Sequence, residues 1–402
     1  MKLFLKKIHY IKLIFKYNEL EKFHSADIIL LGNDHDRSFT IFDKKYSQIL
    51  DSLDFFLKEH KLLALHLALP IATNYGSRTF GNALSLNGKF VRAKIIFKIL
   101  KLFTKNKINP IVNLWCEVIN KVKPRCIIGI NPPPELCIAA KNSGILIFDI
   151  QHGVLSSEGY YGNQYRKDFF NNGWPDYILC WNQSSVEWVL NNCKKEFAPI
   201  LIGNPWFIRF TDPNVNDFLV STFNKNNFLG QPYLANILVS LQWGFDENKT
   251  ILGIPSSLFK YIKSNGEKYN WKIRIHPIML NDNKLLKQFE TEFHLYNNIE
   301  WMNCSSDPLP LVLEDIDLHF TSHSALTIEA SWYGIKTGLM LDNPYLLKEY
   351  FAEQLESNLA DIISNEVVEI ENWIISNLNR KKTRSKNFIN SSKKLVSFIS
   401  SL

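Results

Sequence analysis

The sequence predicts an α/β protein made of two doubly wound, Rossmann-like lobes, and three observations carry that expectation. Short apolar runs alternate with helix-period segments almost throughout, the pattern of βαβ units closing a parallel sheet. At 402 residues the chain is long enough that surface-to-volume scaling favours two cores over one. Between the two series of alternations lies a stretch, 204–232, rich in Asn, Pro and Gly, which suits a crossing between lobes. The lobes are accordingly set at 1–210 and 232–380, with a basic terminal helix over 381–402.

In the first lobe the expected strands are 27–32, 62–67, 125–130, 144–150, 176–181 and 199–203, with helices at 45–57, 91–102, 110–122, 134–142 and 184–192. The second alternation gives strands at 236–241, 271–275, 299–302, 318–321 and 337–341. Its helices fall at 255–263, 284–293, 308–314, 325–333 and 345–356, followed by amphipathic segments at 366–378 and 385–400. No solenoid-length repeat and no low-complexity tract is present, so array architectures are set aside. Two such lobes imply a cleft between them, with ligands at the carboxyl ends of the strands.

Composition narrows the function class. The chain carries 46 Lys plus Arg against 39 Asp plus Glu, with 46% apolar and 21% charged residues, a soluble globular balance. The net charge of +7 sits at the ends: Lys2, Lys6, Lys7, Lys12 and Lys16 at one, and Arg380, Lys381, Lys382, Arg384, Lys386, Lys393 and Lys394 at the other. Without these twelve, 34 basic residues face 39 acidic ones. A nucleic-acid protein is expected to carry its basic stripe on the folded body, so nucleic acid is excluded as a partner and an anionic membrane surface fits better. The N-terminal segment sets Leu3, Phe4, Ile8, Ile11 and Phe15 against its lysines, suiting either the lipid interface or an ordinary helix packed on the first lobe. It lacks a secretory signal pattern, and no uncharged stretch reads as a membrane span. Six cysteines without CxxC spacing read as reduced thiols. The expected location is cytoplasmic, peripheral on the inner face of the plasma membrane.

The chemistry-bearing residues follow the strands. Strand 271–275 carries Arg274 and runs into His276-Pro277, placing an imidazole at the sheet edge while Pro277 fixes the turn. Strand 318–321 runs into Ser322, His323 and Ser324, opening a helix whose N–H groups and hydroxyls, with Thr327, suit a phosphate. Glu329, further along, suits ribose hydroxyls. The plainer reading of Ser324 is an N-cap. Strand 236–241 ends at Gln242-Trp243, an amide and an aromatic plane. In the first lobe, Gln151, His152 and Gly153 follow strand 144–150, and Glu158 and Tyr160 come shortly after. His152 and Glu158 are the candidate general bases; the alternatives are a loop-organising histidine and an exposed charge. Trp181, Trp206, Trp243 and Tyr160 lie near strand ends as possible sugar platforms, although most aromatics are core residues. Two Asp-x-Asp triplets, Asp34-His35-Asp36 and Asp315-Ile316-Asp317, read as solvated loop charges, and metal-independent chemistry without a cofactor is expected.

Walker A, GxGxxG, HExxH and G-x-S-x-G patterns are all missing, which disfavours P-loop NTPases, dinucleotide dehydrogenases, zincins and α/β-hydrolases. What is present resembles the GT-B glycosyltransferases of bacterial capsule and O-antigen synthesis. Gln151-His152-Gly153, Arg274-Ile275-His276-Pro277 and the serine-rich turn with Glu329 are similar to Kdo- and sialic-acid-type transferases with HP and SS/ST motifs. CDP-glycerol glycerophosphotransferases and nucleotide-sugar epimerases share parts of this set. The turn over 321–330 resembles the epimerases' T-D-S-G-G-x-Q-E-E-A at Thr321, Glu329 and Ala330.

The resemblance implies a GT-B fold and a glycosyltransferase taking a nucleotide-sugar donor, CMP-linked by the nearest similarity, and a glycan or lipid-linked glycan acceptor. It implies that His276, Ser322 and Ser324 hold the donor phosphate, with Arg274, Pro277, His323, Thr327 and Gln242 around it and Glu329 on the ribose. Gln151, Gly153 and Tyr160 then fall on the acceptor side with the base. Gln242 departs from the carboxylate nucleophile of retaining Kdo transferases, implying inversion or another acid such as Asp246. An epimerase, a glycerophosphotransferase and a non-catalytic assembly component are the alternatives.

Overall fold

The computed structural model describes residues 19–103, 109–157, 173–193, 197–223, 233–242, 249–341, 343–385 and 390–402. Two compact units divide at Trp206/Phe207, and Ser391–Leu402 belongs to the first. The boundary thus falls inside the helix Pro205–Thr211 rather than in a free linker, and the expected terminal segment 381–402 is shared between the units.

Unit one holds strands β1 (Ile28–Gly32), β2 (Ala64–Ala68), β3 (Cys126–Gly129), β4 (Leu146–Ile150), β5 (Tyr177–Cys180) and β6 (Ala198–Leu201). They form one parallel sheet in the order β2-β1-β3-β4-β5-β6. Its helices include α1 (Leu50–Glu59), α2 (Asn87–Phe103), α3 (Pro110–Val122), α4 (Pro134–Asn142) and α5 (Gln183–Asn192). Proline in the first turn of α3 and α4 costs no hydrogen bond, and Asn109 caps α3 by accepting from Ile111 N. The apolar face of α3, with Trp115, Val118 and Val122, is buried in a core with Ile29, Leu31 and Ile127. The order reverses between β1 and β3, which makes their carboxyl ends the switch point of this sheet.

Unit two holds β7 (Asn236–Ser240), β8 (Asn270–Arg274), β9 (Ile299–Glu300), β10 (Leu318–Thr321), β11 (Lys336–Leu339) and β12 (Ala360–Ile362). The sheet is parallel, in the order β9-β8-β7-β10-β11-β12, that of a dinucleotide-binding sheet. Its switch point lies between β7 and β10. Flanking helices include α6 (Ser256–Asn265), α7 (Asn283–Phe293), α8 (Leu326–Trp332) and α9 (Val367–Asn377). The core centres on Val239, Trp271, Ile273, Phe289, Phe320 and Ile374.

The expected helix 345–356 is two, Pro344–Tyr350 and Ala352–Glu356, and two further elements differ from expectation for a physical reason. Lys45 belongs to a hairpin, Phe39–Ile41 against Lys44–Tyr46, not to a helix. Its two-residue turn sets Phe42 and Asp43 at φ of 49° and 60°, the geometry that twist-matched hairpins need. The edge strand β12 was not anticipated, being only three residues long. All six cysteines are thiols rather than disulfides, and among the described residues no helix is long and apolar enough to cross a membrane.

Candidate functional site

In unit two, register aligns the strand ends. Arg274 pairs with Ser240, and Ser240 with Thr321, so β8, β7 and β10 finish at one level. Leu241 N still donates to Arg274 O at 3.0 Å beyond the last pair. Gln242, His276 and His323 each follow their strand's last residue by two, so the expected donor residues come together around the switch point.

The β8 end is the most firmly built. Pro277 sits in a turn closed by Met279 N donating to His276 O at 2.8 Å. Ile278 N donates to His276 Nδ1 at 3.2 Å, so the ring's proton belongs on Nε2, a donor suited to an anion. Arg274 donates to the carbonyls of Cys304 and, at 3.0 Å, Asp307, fixing the guanidinium against the helix Met302–Ser306. Burial lowers its pKa, opposed by the neighbouring Cys304, Glu329 and Asp307. Glu329, in α8, is pushed up to about 8 by burial, with Arg274 acting against the rise. Part of Glu329's surface stays accessible although its carboxyl is enclosed. A carboxyl raised this far favours its protonated form near neutral pH, in which it can donate as well as accept.

At the β10 end the turn is tighter than anticipated. Ser324 Oγ accepts from Leu326 N at 3.3 Å, Thr327 N bonds Ser324 O at 3.0 Å and Ile328 N bonds Ala325 O at 2.9 Å. The first N–H groups of α8 are therefore already paired, which corrects the expectation of a free helix N-terminus. Ser324 acts as a brace, its hydroxyl proton still available. Among the described residues His323 Nδ1 and Thr327 Oγ1 are buried without partners, and burial depresses the His323 pKa. Unpaired buried polar atoms of this kind call for an explanation.

Below this edge lies a polar relay that sequence reasoning missed. Ser240 Oγ meets His319 Nε2 at 2.8 Å, His319 Nδ1 meets Thr337 Oγ1 at 2.9 Å, and Thr321 Oγ1 donates to Ser240 O at 2.9 Å. His319 is fully buried and burial pushes its pKa down to about 3, so it is a neutral cross-tie over β7, β10 and β11. The available signal was polar residues inside three buried strands, His319 paired in register with Thr337 and Ser240 two positions along from His319's partner Leu238.

Unit one uses its polar residues differently. Gln151 is fully buried; its amide donates to Gly153 O and Ser185 Oγ, both at 2.9 Å, and accepts from Trp181 N at 2.8 Å. These bonds tie the ends of β4 and β5 to α5 and leave no exposed surface for an acceptor. His152 is pushed down to about 4 by burial, against a backbone hydrogen bond at Ile150. A Cβ at Gly153 would meet nothing within 4 Å, so close packing does not require glycine there. Trp181 and Trp206 are buried, the latter against Phe39 and Tyr46, and are core rather than platforms. Glu158, Tyr160, Trp243, Asp246 and the N-terminal segment lie outside the described residues.

At this sheet's switch point the loop after β1 carries Asp34, which accepts from the loop after β2, and Asp36, which accepts within its own turn, so both are hydrogen-bonded rather than merely solvated charges. Asp34 accepts from Thr73 N (2.7 Å), Thr73 Oγ1 (2.8 Å) and Asn74 N (2.9 Å), and Asp36 from Asn33 N (2.8 Å). Burial raises Asp36 to about 7. Arg37, also missed from sequence, is fully buried and donates to Gly32 O at 2.9 Å and Leu67 O at 3.3 Å, clamping β1 to β2. Asp317 of the second triplet accepts from Asn236 N at 2.9 Å and pairs with Lys382 at 3.2 Å. Among the described residues no group of three His, Cys, Asp or Glu side chains is arranged to hold a metal.

The fold defines a class: an α/β protein with two parallel six-stranded sheets, GT-B-like. The chain is similar to the UDP-GlcNAc 2-epimerase of Methanocaldococcus jannaschii solved with UDP-GlcNAc and UDP, at TM-score 0.56 and 13% identity over 93% of this chain and 99% of that one. The Neisseria meningitidis UDP-GlcNAc 2-epimerase bound to UDP-GlcNAc gives 0.54 and 11% over 93% and 100%. The wall teichoic acid polymerase TagF gives 0.54 and 12% over 99% and 92%. No family model and no curated protein matches the sequence.

Proposed function

We propose that the protein is a glycosyltransferase that moves a sugar from a nucleotide-activated donor to a surface-polysaccharide acceptor. The observation that carries the donor half is the second sheet's switch point. Three strands end in register there, and the following residues supply a proton-bearing His276 Nε2, a fixed Arg274 and an enclosed Glu329. In this reading His276, Ser322 and Ser324 hold the phosphate next to the sugar, and Glu329 binds the ribose. Glu158 takes the proton of the acceptor hydroxyl, whose oxygen attacks the anomeric carbon. The bond from that carbon to the phosphate oxygen breaks, and the nucleotide leaves with the electron pair, its charge met by side-chain donors without a metal.

A thermal-shift panel of CMP, CDP, UDP, GDP and their sugars tests the reading. Stabilisation by one nucleotide, weakened about tenfold or more in affinity by His276→Ala with an unchanged apo melting temperature, supports it. No stabilisation by any nucleotide sinks it. The turn over 321–330, with Thr321, Glu329 and Ala330, favours an epimerase as second reading. A donor converted to its epimer without any acceptor would select that alternative.

A further inference from the structure

The geometry of α2 points to a second functional surface, and we infer that its outer half is a docking face for an anionic lipid bilayer. The start of the helix is firmly held. Glu19 caps it, accepting from Gly88 N at 3.0 Å and Lys89 N at 2.9 Å, while Lys89 pairs with Glu117 at 2.9 Å and Val91 and Ala93 are buried. Over 94–100 one side of the helix is exposed while Phe97 and Leu100 are half-buried. Ile95, Ile96 and Ile99 are 41%, 49% and 50% exposed, and Lys94 and Lys98 are exposed beside them.

At about 100° per residue the three isoleucines fall in one arc of roughly 100°, and Lys94 and Lys98 line one flank of it. An aliphatic stripe bordered by lysines is the layout of a helix lying in a lipid interface, where apolar side chains enter the acyl boundary and ammonium groups reach headgroup phosphates. Charge selects the sign of that surface. No Asp or Glu occurs between Glu59 and Glu117, whereas nine Lys or Arg residues do. A second copy of the chain is the poorer occupant, since a two-fold contact would bring the same lysines together. The inference is independent of the donor site.

The test is flotation of the full chain with vesicles of equimolar phosphatidylglycerol and phosphatidylethanolamine, against pure phosphatidylcholine. The protein is expected to float with the anionic vesicles at low salt and to be released at high salt. Ile96→Asp with Ile99→Asp should cut the bound fraction about tenfold or more. Lys94→Ala with Lys98→Ala should cut binding about fivefold per lysine, and serves as the second variant if the isoleucine pair fails to fold. The proposal is overturned if the wild type stays with the unbound fraction, if both double variants float like it, or if its affinity is the same for phosphatidylcholine. Concentration-dependent dimerisation abolished by the isoleucine pair would assign the face to a second copy and overturn it as well.

Discussion

The two sheets share one architecture and spend their strand-end polar groups in opposite ways. In unit one, the residues past β1 and β4 are absorbed by the scaffold: Asp34 ties its loop to Thr73 and Asn74, Asp36 closes a turn, Arg37 clamps two strands and Gln151 ties three elements. In unit two the fixed parts lie a layer lower, in the neutral Ser240–His319–Thr337 relay, and the edge above keeps hydrogen-bonding capacity, among the described residues, at His323 and Thr327. The contrast teaches that a polar residue at a strand end marks a ligand site only if its capacity is left over. Substitutions in unit one should therefore cost stability, and those in unit two should act on ligand binding.

Arg37→Leu breaks the comparison most forcefully. The guanidinium is buried with Asp51, Asp36 and Asp34 around it, and its pKa is lowered by that burial. Removing it takes a cation from beside buried carboxylates, although Asp51 keeps Ser47 N at 2.6 Å and His66 at 3.4 Å, and unclamps Gly32 from Leu67. Loss of one partner from a buried charge cluster costs roughly 3–5 kcal/mol. Denaturant unfolding should register that loss; a change below about 1 kcal/mol, the range of a surface pair, would mean the cluster is not structural.

Gln151→Ala should act in the same direction by less. It deletes an acceptor for Trp181 N and a donor to Ser185 Oγ inside the protein, at about 1–3 kcal/mol for buried groups left unpaired. If the melting temperature holds while an acceptor binds more weakly, Gln151 belongs to the acceptor site after all, and the contrast between the sheets fails.

Most of this architecture was legible because parallel strands buried on both faces read as apolar runs. Helices such as Pro110–Val122 and Pro134–Asn142 announce their starts with proline. The hairpin at Phe42-Asp43 was hidden because neither residue is the glycine or asparagine that usually adopts positive φ. His319 was hidden within a buried run, and Arg37 because the groups it meets, Leu67 and Asp51, are brought near only by folding. Strand-end reasoning set Gln242, His276 and Ser322 just past their strands, where the structure has them, and leaves their role a proposal. What the chain does not spell out is whether a neighbour already uses a group, as at Gln151, Ser324 and the first N–H groups of α8.

A pH-dependent effect sharpens the comparison most finely, because it tests the enclosure of Glu329 directly. Its folded pKa of about 8 lies above the usual carboxylate value of 4.5, owing to burial that Arg274 only partly offsets. Between those values the folded chain keeps a proton that the unfolded chain releases. The resulting stabilisation is fully present below about pH 4.5 and is lost as pH rises through about 8. Glu329→Gln has no proton to lose, so melting temperatures of wild type and variant should converge in acid, with the wild type falling below the variant in base. Nucleotide reverses the trend if ribose hydroxyls donate to the carboxylate, because binding then favours the ionised form and wild-type affinity climbs up to about pH 8. Parallel pH profiles of stability in the two proteins would remove the enclosed carboxyl from the site. A flat wild-type affinity profile would leave it enclosed but not in contact with ribose.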